Sequence, residues 1–368
     1  MKNKLGFDLR FFKGKRILVT GHLGFKGSYL CKILASAGAE VCGCGIKQEG
    51  LSLFEIWHLG DLMQDRRVDI CNFEQFKQCF SDFKPEMVFH LAAQALVIPS
   101  YENPMQTFRS NIMGSVNLLE CIRLCGCVRA VVNVTSDKVY KNDESGRLYT
   151  EDDPLMGRDP YSASKSCAEI LSFSYRKSFF EAMGISISTA RAGNVLGGGD
   201  FSKNRVIPDC VRAAKSSNGI ILRNPDSVRP YQHVFDCLYG YLLLMKRQCE
   251  DSALAGSYNF APIDGRAVTT YRLASLFCEY WGDGAFIESP PPRQDALPQK
   301  NISNKENNFH EAGYLKLDVT KANNLLGFSP KYTVEECIRK TVEFEKLMLS
   351  GGDSKEYINR EIDEYFDK

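Results

Sequence analysis

The sequence has no apolar run approaching the roughly 20 residues that a membrane-spanning helix requires. Its first residues, Met1-Lys2-Asn3-Lys4-Leu5-Gly6-Phe7-Asp8, lack the apolar stretch of a secretory leader. No membrane partner is therefore expected, and a reducing, cytoplasmic setting is. An excess of either charge is missing too: 46 Lys and Arg against 45 Asp and Glu leave a formal net charge of +1, which removes the electrostatic reason to expect nucleic acid. With no leader expected, the 14 cysteines are expected to stay in a reducing compartment. Their densest group, Cys121, Cys125 and Cys127, has no nearby histidine or fourth cysteine to complete a zinc spacing. Structural thiols and no metal are the expectation. No internal repeat is evident. What remains is the composition of a soluble globular chain, 44% hydrophobic and 25% charged. Its 368 residues suffice for one large or two closely joined domains.

What is present is an alternation of apolar strand-like runs with helical spacing. Lys15-Arg16-Ile17-Leu18-Val19-Thr20 reads as a strand, Gly21-His22-Leu23-Gly24-Phe25-Lys26-Gly27 as a glycine turn, and Ser28 to Ala37 as a helix with Leu30, Ile33, Leu34 and Ala37 on one side. Gly21 permits the tight turn, Gly24 lets backbone approach a pyrophosphate at the helix N-terminus, and Gly27 allows helix and strand to pack closely. With Phe25 they form the expected dinucleotide site. Further strands are expected at Glu40 to Ile46, Arg67 to Ile70, Met87 to Leu91, Ala130 to Val134 and Ile185 to Ala190. Helices are expected over about 51–63, Pro104 to Leu124 and Tyr161 to about Ala182. Asp69 and Ile70 end the third strand, where such folds bring an Asp to the adenine, although Asp69 also suits a helix N-cap. Ala92 and Ala93, after the fourth, are small enough for a cofactor to lie against the backbone. The ribose-binding acid expected after the second strand is missing: Lys47-Gln48 stand there and Glu49 comes late, so NAD and NADP both stay open.

This series predicts an α/β fold with a doubly wound parallel sheet, Rossmann-like, over residues 1–190, with 232–260 returning to it. The glycine-rich run Arg191 to Asp200 breaks the rhythm. Residues 191–231 and 261–368 are expected to form a smaller mixed α/β C-terminal domain for the substrate, with a helix from Arg205 to Lys215 and a strand from Gly219 to Arg223.

Two stretches carry the candidate chemistry. Thr135-Ser136-Asp137-Lys138-Val139-Tyr140 follows a buried strand, so its hydroxyls, carboxylate and amine emerge at the carboxyl end of a parallel sheet, where such sheets take their ligands. Tyr161-Ser162-Ala163-Ser164-Lys165 begins a helix, and four residues apart Tyr161 and Lys165 share a face. The ammonium is expected to lower the phenol's pKa, so that Tyr161 exchanges a proton near neutral pH. Taken alone, the same spacing also describes an ordinary surface pair.

These motifs are joined by Arg191-Ala192-Gly193-Asn194-Val195-Leu196-Gly197-Gly198-Gly199-Asp200, Arg229-Pro230-Tyr231-Gln232-His233-Val234 and His310-Glu311-Ala312-Gly313-Tyr314-Leu315-Lys316-Leu317-Asp318. In that order, and over about residues 10–345, they resemble the nucleotide-sugar dehydratases of the extended short-chain dehydrogenase/reductase family. Ser-Asp-Lys narrows the resemblance to the 4,6-dehydratases of CDP-glucose, because most related sugar dehydratases place Asp-Glu or Glu where Lys138 stands. Tyr231 departs from the Trp expected in its motif, which bears on the sugar or base rather than the reaction.

The resemblance implies dehydration of CDP-D-glucose to CDP-4-dehydro-6-deoxy-D-glucose with NAD, a reaction of deoxysugar biosynthesis for surface polysaccharide. It implies Tyr161, supported by Lys165, as the base at the 4-hydroxyl, Ser136 as hydrogen-bonding partner of that oxygen, and Asp137 as the acid at the departing 6-hydroxyl. Lys138 is implied either as the C5 base or as a stabiliser of the enolate. Arg229 and Arg293 would anchor the substrate diphosphate, with Asn194 and Lys203 or Arg205 behind them, and Asn111 and His233 join the substrate-binding set. A homodimer or dimer of dimers, packed through the helices at 104–124 and 161–182, is implied as well. A 4-epimerase, or a dehydratase of another nucleotide-sugar such as a heptose, would share Tyr161 and Lys165, but an epimerase has no use for Asp137-Lys138. A non-catalytic cofactor-binding regulator commonly lacks the Tyr or the Lys.

Overall fold

The computed structural model describes residues 7–46, 50–262, 267–288 and 313–366. Lys47 to Glu49, on which the ribose preference turned, and Arg293 with its loop lie outside the described residues. Seven strands form one sheet: β1 (Arg16–Thr20), β2 (Glu40–Cys44), β3 (Gln64–Arg66), β4 (Met87–His90), β5 (Ala130–Val134), β6 (Ser186–Ala192) and β7 (Ser257–Phe260). Their order is β7-β6-β5-β4-β1-β2-β3, and every neighbouring pair is parallel. The order reverses between β1 and β4, the switch point at which doubly wound sheets open a ligand crevice.

The longer helices are α1 (Phe25–Ser36), α2 (Phe73–Phe83), α3 (Gly114–Cys125), α4 (Pro160–Tyr175), α5 (Val206–Lys215), α6 (Val234–Glu250), α7 (Thr270–Trp281), α8 (Val334–Leu349) and α9 (Ser354–Phe366). Both sheet faces are covered, so alternate strand residues enter different apolar layers. Ile17, Val19, Phe89 and Val132 join the layer under α1 and α6, whereas Leu18, Val88, Val131 and Ile187 join the layer under α2 and α3. Cys42, Cys44, Cys79 and Cys121 fill this second layer as small hydrophobes, and all the cysteines are free thiols. A third core, built from Ile207 and Val211 of α5, Leu273 and Phe277 of α7 and Ile338 and Val342 of α8, forms the smaller lobe beside the sheet's carboxyl edge.

Several expected elements are displaced. The third strand lies at Gln64–Arg66, ahead of Arg67 to Ile70, because its register with β2 pairs Cys42 with Gln64 and Cys44 with Arg66. The helix expected over 51–63 is two short pieces, Leu53–Ile56 and Leu59–Asp61, separated at His58, whose φ of 50° no α-helix continues. Gly219 to Arg223 forms no strand; only Ile220 makes a bridge, to Ile287. Leu326, Phe328 and the α9 residues Ile358, Ile362 and Tyr365 pack in the sheet's first layer with β1 and α6, although the sequence assigns them to the second domain. No helix among the described residues is long and apolar enough to cross a membrane, and none of the described His, Cys, Asp and Glu side chains form a group placed to hold a metal ion.

Candidate active site

The turn from β1 to α1 shows why its glycines are needed. Gly21 has φ of +73°, and a Cβ there would lie 2.7 Å from the Ala92 nitrogen; a Cβ on Gly27 would lie 2.1 Å from the Gly21 carbonyl oxygen. Gly24 is the N-cap of α1, and no side chain caps the helix. The first-turn N–H groups are therefore available to an anion, and the turn is thin enough for a dinucleotide's diphosphate to approach them. Phe25 opens α1 with its ring edge-on to Tyr29 at 5.3 Å. Ala92 donates its N–H to Thr20 Oγ1 at 3.1 Å, fixing the β4 end against the turn, and Ala93 follows, partly buried. Asp69 Oδ1 accepts from the Cys71 N–H at 2.9 Å, while the N-cap of α2 is Asn72, so Asp69 is not that cap. Ile70 packs so closely on α3 that a Cβ on Gly114 would meet it at 2.4 Å.

Beyond this turn a cleft of about 240 Å³ is lined by Ser136, Asp137, Lys138 and Tyr161 on the sheet side, and by Asn194, Arg205 and Arg229 opposite. Ser136 caps the 3-10 turn Asp137–Val139, its oxygen accepting from the Lys138 N–H at 3.2 Å while its hydroxyl donates to Asp137 Oδ1 at 3.0 Å. Lys138 Nζ reaches the same oxygen at 3.3 Å. Lys138 and Asp137 thus form an ion pair, and it lies at the cleft. Asp137 Oδ2 is buried with no hydrogen-bond partner.

Helix α4 starts where the sequence dictates: Asp159 is its N-cap, accepting from the Ser162 N–H, and Pro160 occupies the first turn. This start places Tyr161 on the cleft and Lys165 one turn deeper, where Nζ donates to the Val134 carbonyl at 3.0 Å. Burial, then repulsion from Lys26, lowers the Lys165 ammonium to about 7. Tyr161 behaves contrary to expectation. Burial pushes its phenol up, with hydrogen bonding to Ser136 and the charge of Lys138 pulling the other way. Desolvation outweighs the cations, and the lysine acting on the phenol is Lys138 rather than Lys165.

Arg229 is buried, and Arg205 pairs with Asp200 at 3.4 Å. Three expected substrate-binding residues, Asn111, His233 and Lys203, do not line the cleft. Asn111 donates to Ser164 Oγ at 2.8 Å and to the Gln94 carbonyl at 2.9 Å, and accepts from the Gln94 N–H at 2.8 Å, so its amide is spent tying the loop after β4 to α4. His233 is buried as the N-cap of α6, accepting from the Phe235 N–H at 3.3 Å, and burial lowers its imidazole to about 3. Lys203 is exposed outside the cleft.

The sequence reading missed the support beneath the site. Glu169 accepts from Thr135 Oγ1, from Thr189 Oγ1 at 2.7 Å and from Arg191 at 2.8 Å, and Arg191 reaches the Tyr140 hydroxyl at 2.9 Å. Glu169 continues the spacing of Tyr161 and Lys165 by another four residues, a signal that was available. Lys26, inside the glycine motif, also lines the cleft.

A parallel sheet with a glycine turn at β1, and a Tyr-x-x-x-Lys helix packed on the loop after β5, defines a dinucleotide-dependent enzyme fold of the short-chain dehydrogenase/reductase kind. The chain belongs to the GDP-mannose 4,6 dehydratase family, whose pattern matches residues 18–341. It is 42% identical over 365 residues to the CDP-glucose 4,6-dehydratase of Salmonella typhimurium, covering 97% of this chain and 98% of that protein. Among solved structures it resembles the UDP-glucose 4-epimerase of Thermotoga maritima with UDP-glucose, at a TM-score of 0.75 and 25% identity over 91% of this chain and 99% of that one. The UDP-glucose 4-epimerase of Thermus thermophilus in complex with NAD gives 0.73 and 27%, over 90% and 99%.

Proposed function

We propose that this chain is an NAD-dependent nucleotide-sugar 4,6-dehydratase that converts CDP-D-glucose to CDP-4-dehydro-6-deoxy-D-glucose. The observation that carries the reading is Asp137: one carboxylate oxygen is held by Ser136 and Lys138, and the other is buried and unpartnered in the cleft that Tyr161 lines. An oxidising or epimerising site needs only Tyr161; a second acid beside it suits elimination. The likeness to the Salmonella typhimurium enzyme supports the same reaction and base.

When bound, NAD supplies a reversible hydride acceptor, so oxidation at C4 and reduction at C6 balance without an external reductant. The protein's share is proton traffic. Tyr161 Oη takes the proton of the 4-hydroxyl, with Ser136 Oγ holding the oxygen that becomes the ketone. The ketone acidifies the C5 hydrogen, and the Asp137–Lys138 pair, with its proton on Asp137 Oδ2 rather than on Lys138 Nζ, delivers that proton to the departing 6-hydroxyl. Lys138 takes the C5 proton or steadies the enolate, and a proton returns to C5 as C6 is reduced, which completes the 4-keto-6-deoxy sugar. Arg229, Arg205 and Asn194, with Arg293, hold the substrate diphosphate. The enzyme acts in the cytoplasm as a homodimer joined through the 104–125 run and α4, whose exposed Met105, Met113, Ile170 and Phe173 suit such an interface.

Incubation with CDP-, dTDP-, GDP- and UDP-sugars plus NAD, read by mass, tests the reading. Loss of one water from CDP-glucose, with a C4 deuterium recovered at C6 of the same molecule, is expected. An unchanged mass on every sugar, or deuterium released to solvent, sinks it.

A further inference from the structure

The helix that carries Tyr161 also grips both ends of the turn that carries Asp137. Before the turn, Lys165 Nζ donates to the carbonyl of Val134, the last residue of β5, at 3.0 Å. Glu169 accepts from the hydroxyl of the next residue, Thr135. After the turn, Ser166 Oγ donates to the Val139 carbonyl at 2.8 Å. Ser136, Asp137 and Lys138 stand between these contacts, so their place relative to Tyr161 is set from α4.

Glu169 is itself held by other elements of the sheet. Thr189 Oγ1 and Arg191 of β6 donate to its Oε2 at 2.7 and 2.8 Å, and Ser257 Oγ of β7 does so at 3.2 Å, while Thr135 takes Oε1. Glu169 is buried and does not line the cleft. A carboxylate enclosed in this way, with both oxygens engaged, has no route for exchanging a proton with a substrate; it can fix the direction of Thr135. The Thr135 hydroxyl also faces the Ala190 carbonyl, at a longer 3.4 Å. We propose that Glu169 is a positioning residue: through Thr135 it sets the Ser136-Asp137-Lys138 turn against Tyr161, so that Asp137 Oδ2 meets the departing 6-hydroxyl. The inference rests on the dehydration proposed above. Cutting the link leaves Tyr161 in place on α4 while the turn shifts. Elimination, which needs Asp137, therefore suffers more than C4 oxidation, in which Tyr161 still takes the proton. A misplacement of about 1 Å can cost about 10²-fold in rate.

Three variants test this on CDP-glucose, followed by rapid-mixing absorbance of the reduced nicotinamide and by product mass. Thr135→Val removes the hydroxyl at nearly constant shape, Thr135→Ser keeps it, and Thr189→Val strips the same carboxylate of a donor that lies on β6. Thr135→Val should eliminate water about 10²-fold more slowly and form NADH at a rate within several-fold of wild type. NADH and a sugar lighter by two hydrogens should then accumulate. Thr135→Ser should restore most of the elimination, and Thr189→Val should show no such accumulation. Wild-type elimination in Thr135→Val overturns the proposal, as does an equal loss of both steps in Thr135→Val and Thr189→Val, the result of a merely structural cluster. Thr135→Ala takes the place of Thr135→Val if the latter does not fold, with the same outcomes. A wild type that loses no water from CDP-glucose overturns the dehydratase reading and this inference with it, whereas an active wild type matched by Thr135→Val overturns the positioning alone.

Discussion

In the reaction proposed above, Asp137 divides one side chain between two tasks. Ser136 and Lys138 occupy Oδ1, and Oδ2 is left buried toward the cleft, so proton delivery and pairing do not compete for the same oxygen. Tyr161→Phe removes the proposed proton acceptor and should lower turnover about 10²- to 10⁴-fold while CDP affinity, measured by titration, stays the same. Lys138→Ala and Lys138→Glu separate the roles open to the lysine. If it takes the C5 proton, Ala should abolish C5 exchange with solvent deuterium and Glu should restore part of it; unchanged turnover in both removes Lys138 from the mechanism. These residues were legible because each group lies in one short segment, where spacing alone brings the partners together. The contact of Lys26 with Tyr241 was not, because it joins α1 to α6 across the fold.

Helix α4 carries Tyr161, Lys165 and Glu169 on one face, and the last of these is locked to Arg191 of β6. Both ends of that ion pair are buried, so removing one partner leaves an uncompensated charge. Arg191→Leu should cost about 3–5 kcal/mol in urea unfolding, and adding Glu169→Met should recover much of it. A second clamp joins α6 to α9: Asp236 accepts from the Tyr365 hydroxyl at 2.6 Å and from the N–H groups of Lys331 and Tyr332. Burial pushes the Asp236 carboxyl up to about 6. A folded-state pKa above the ordinary value of about 4 means that the folded protein holds this proton more tightly. The stability it contributes is therefore present below about pH 4 and is lost as pH rises through 6, about 3 kcal/mol in all. Asp236→Asn should lack this loss, so the stability of wild type relative to the variant should fall across that window in urea titrations.

The molecule also exposes apolar side chains where two helical runs lie side by side. Met105 is 79% exposed, and Ile170 and Phe173 of α4 are 57% and 58% exposed, and a second copy packed on these helices would cover them. Sedimentation should find a dimer, and Ile170→Glu should shift it toward monomer by burying a charge at the contact; a wild-type monomer at micromolar concentration would remove the proposed interface. The sheet that organises these surfaces was foreseeable from apolar runs separated by helical spacing. Its third strand was misplaced because a three-residue edge strand takes its position from pairing with β2 and has little apolar pattern of its own.

Local order decided much of this protein in advance. The glycine turn, the Asp159-Pro160 start of α4 and the Ser136-Asp137-Lys138 loop depend on backbone conformations and spacings a few residues long, and the sequence states them directly. The tertiary structure alone decided which charges meet. It closed Asn111 and His233 into packing, raised the Tyr161 phenol by burial, set Lys26 in the same cleft as Asp137 and Tyr161 and folded α9 back onto the sheet. Desolvation and ion pairing depend on what surrounds a group in space, and those neighbours come from parts of the chain that no spacing rule connects.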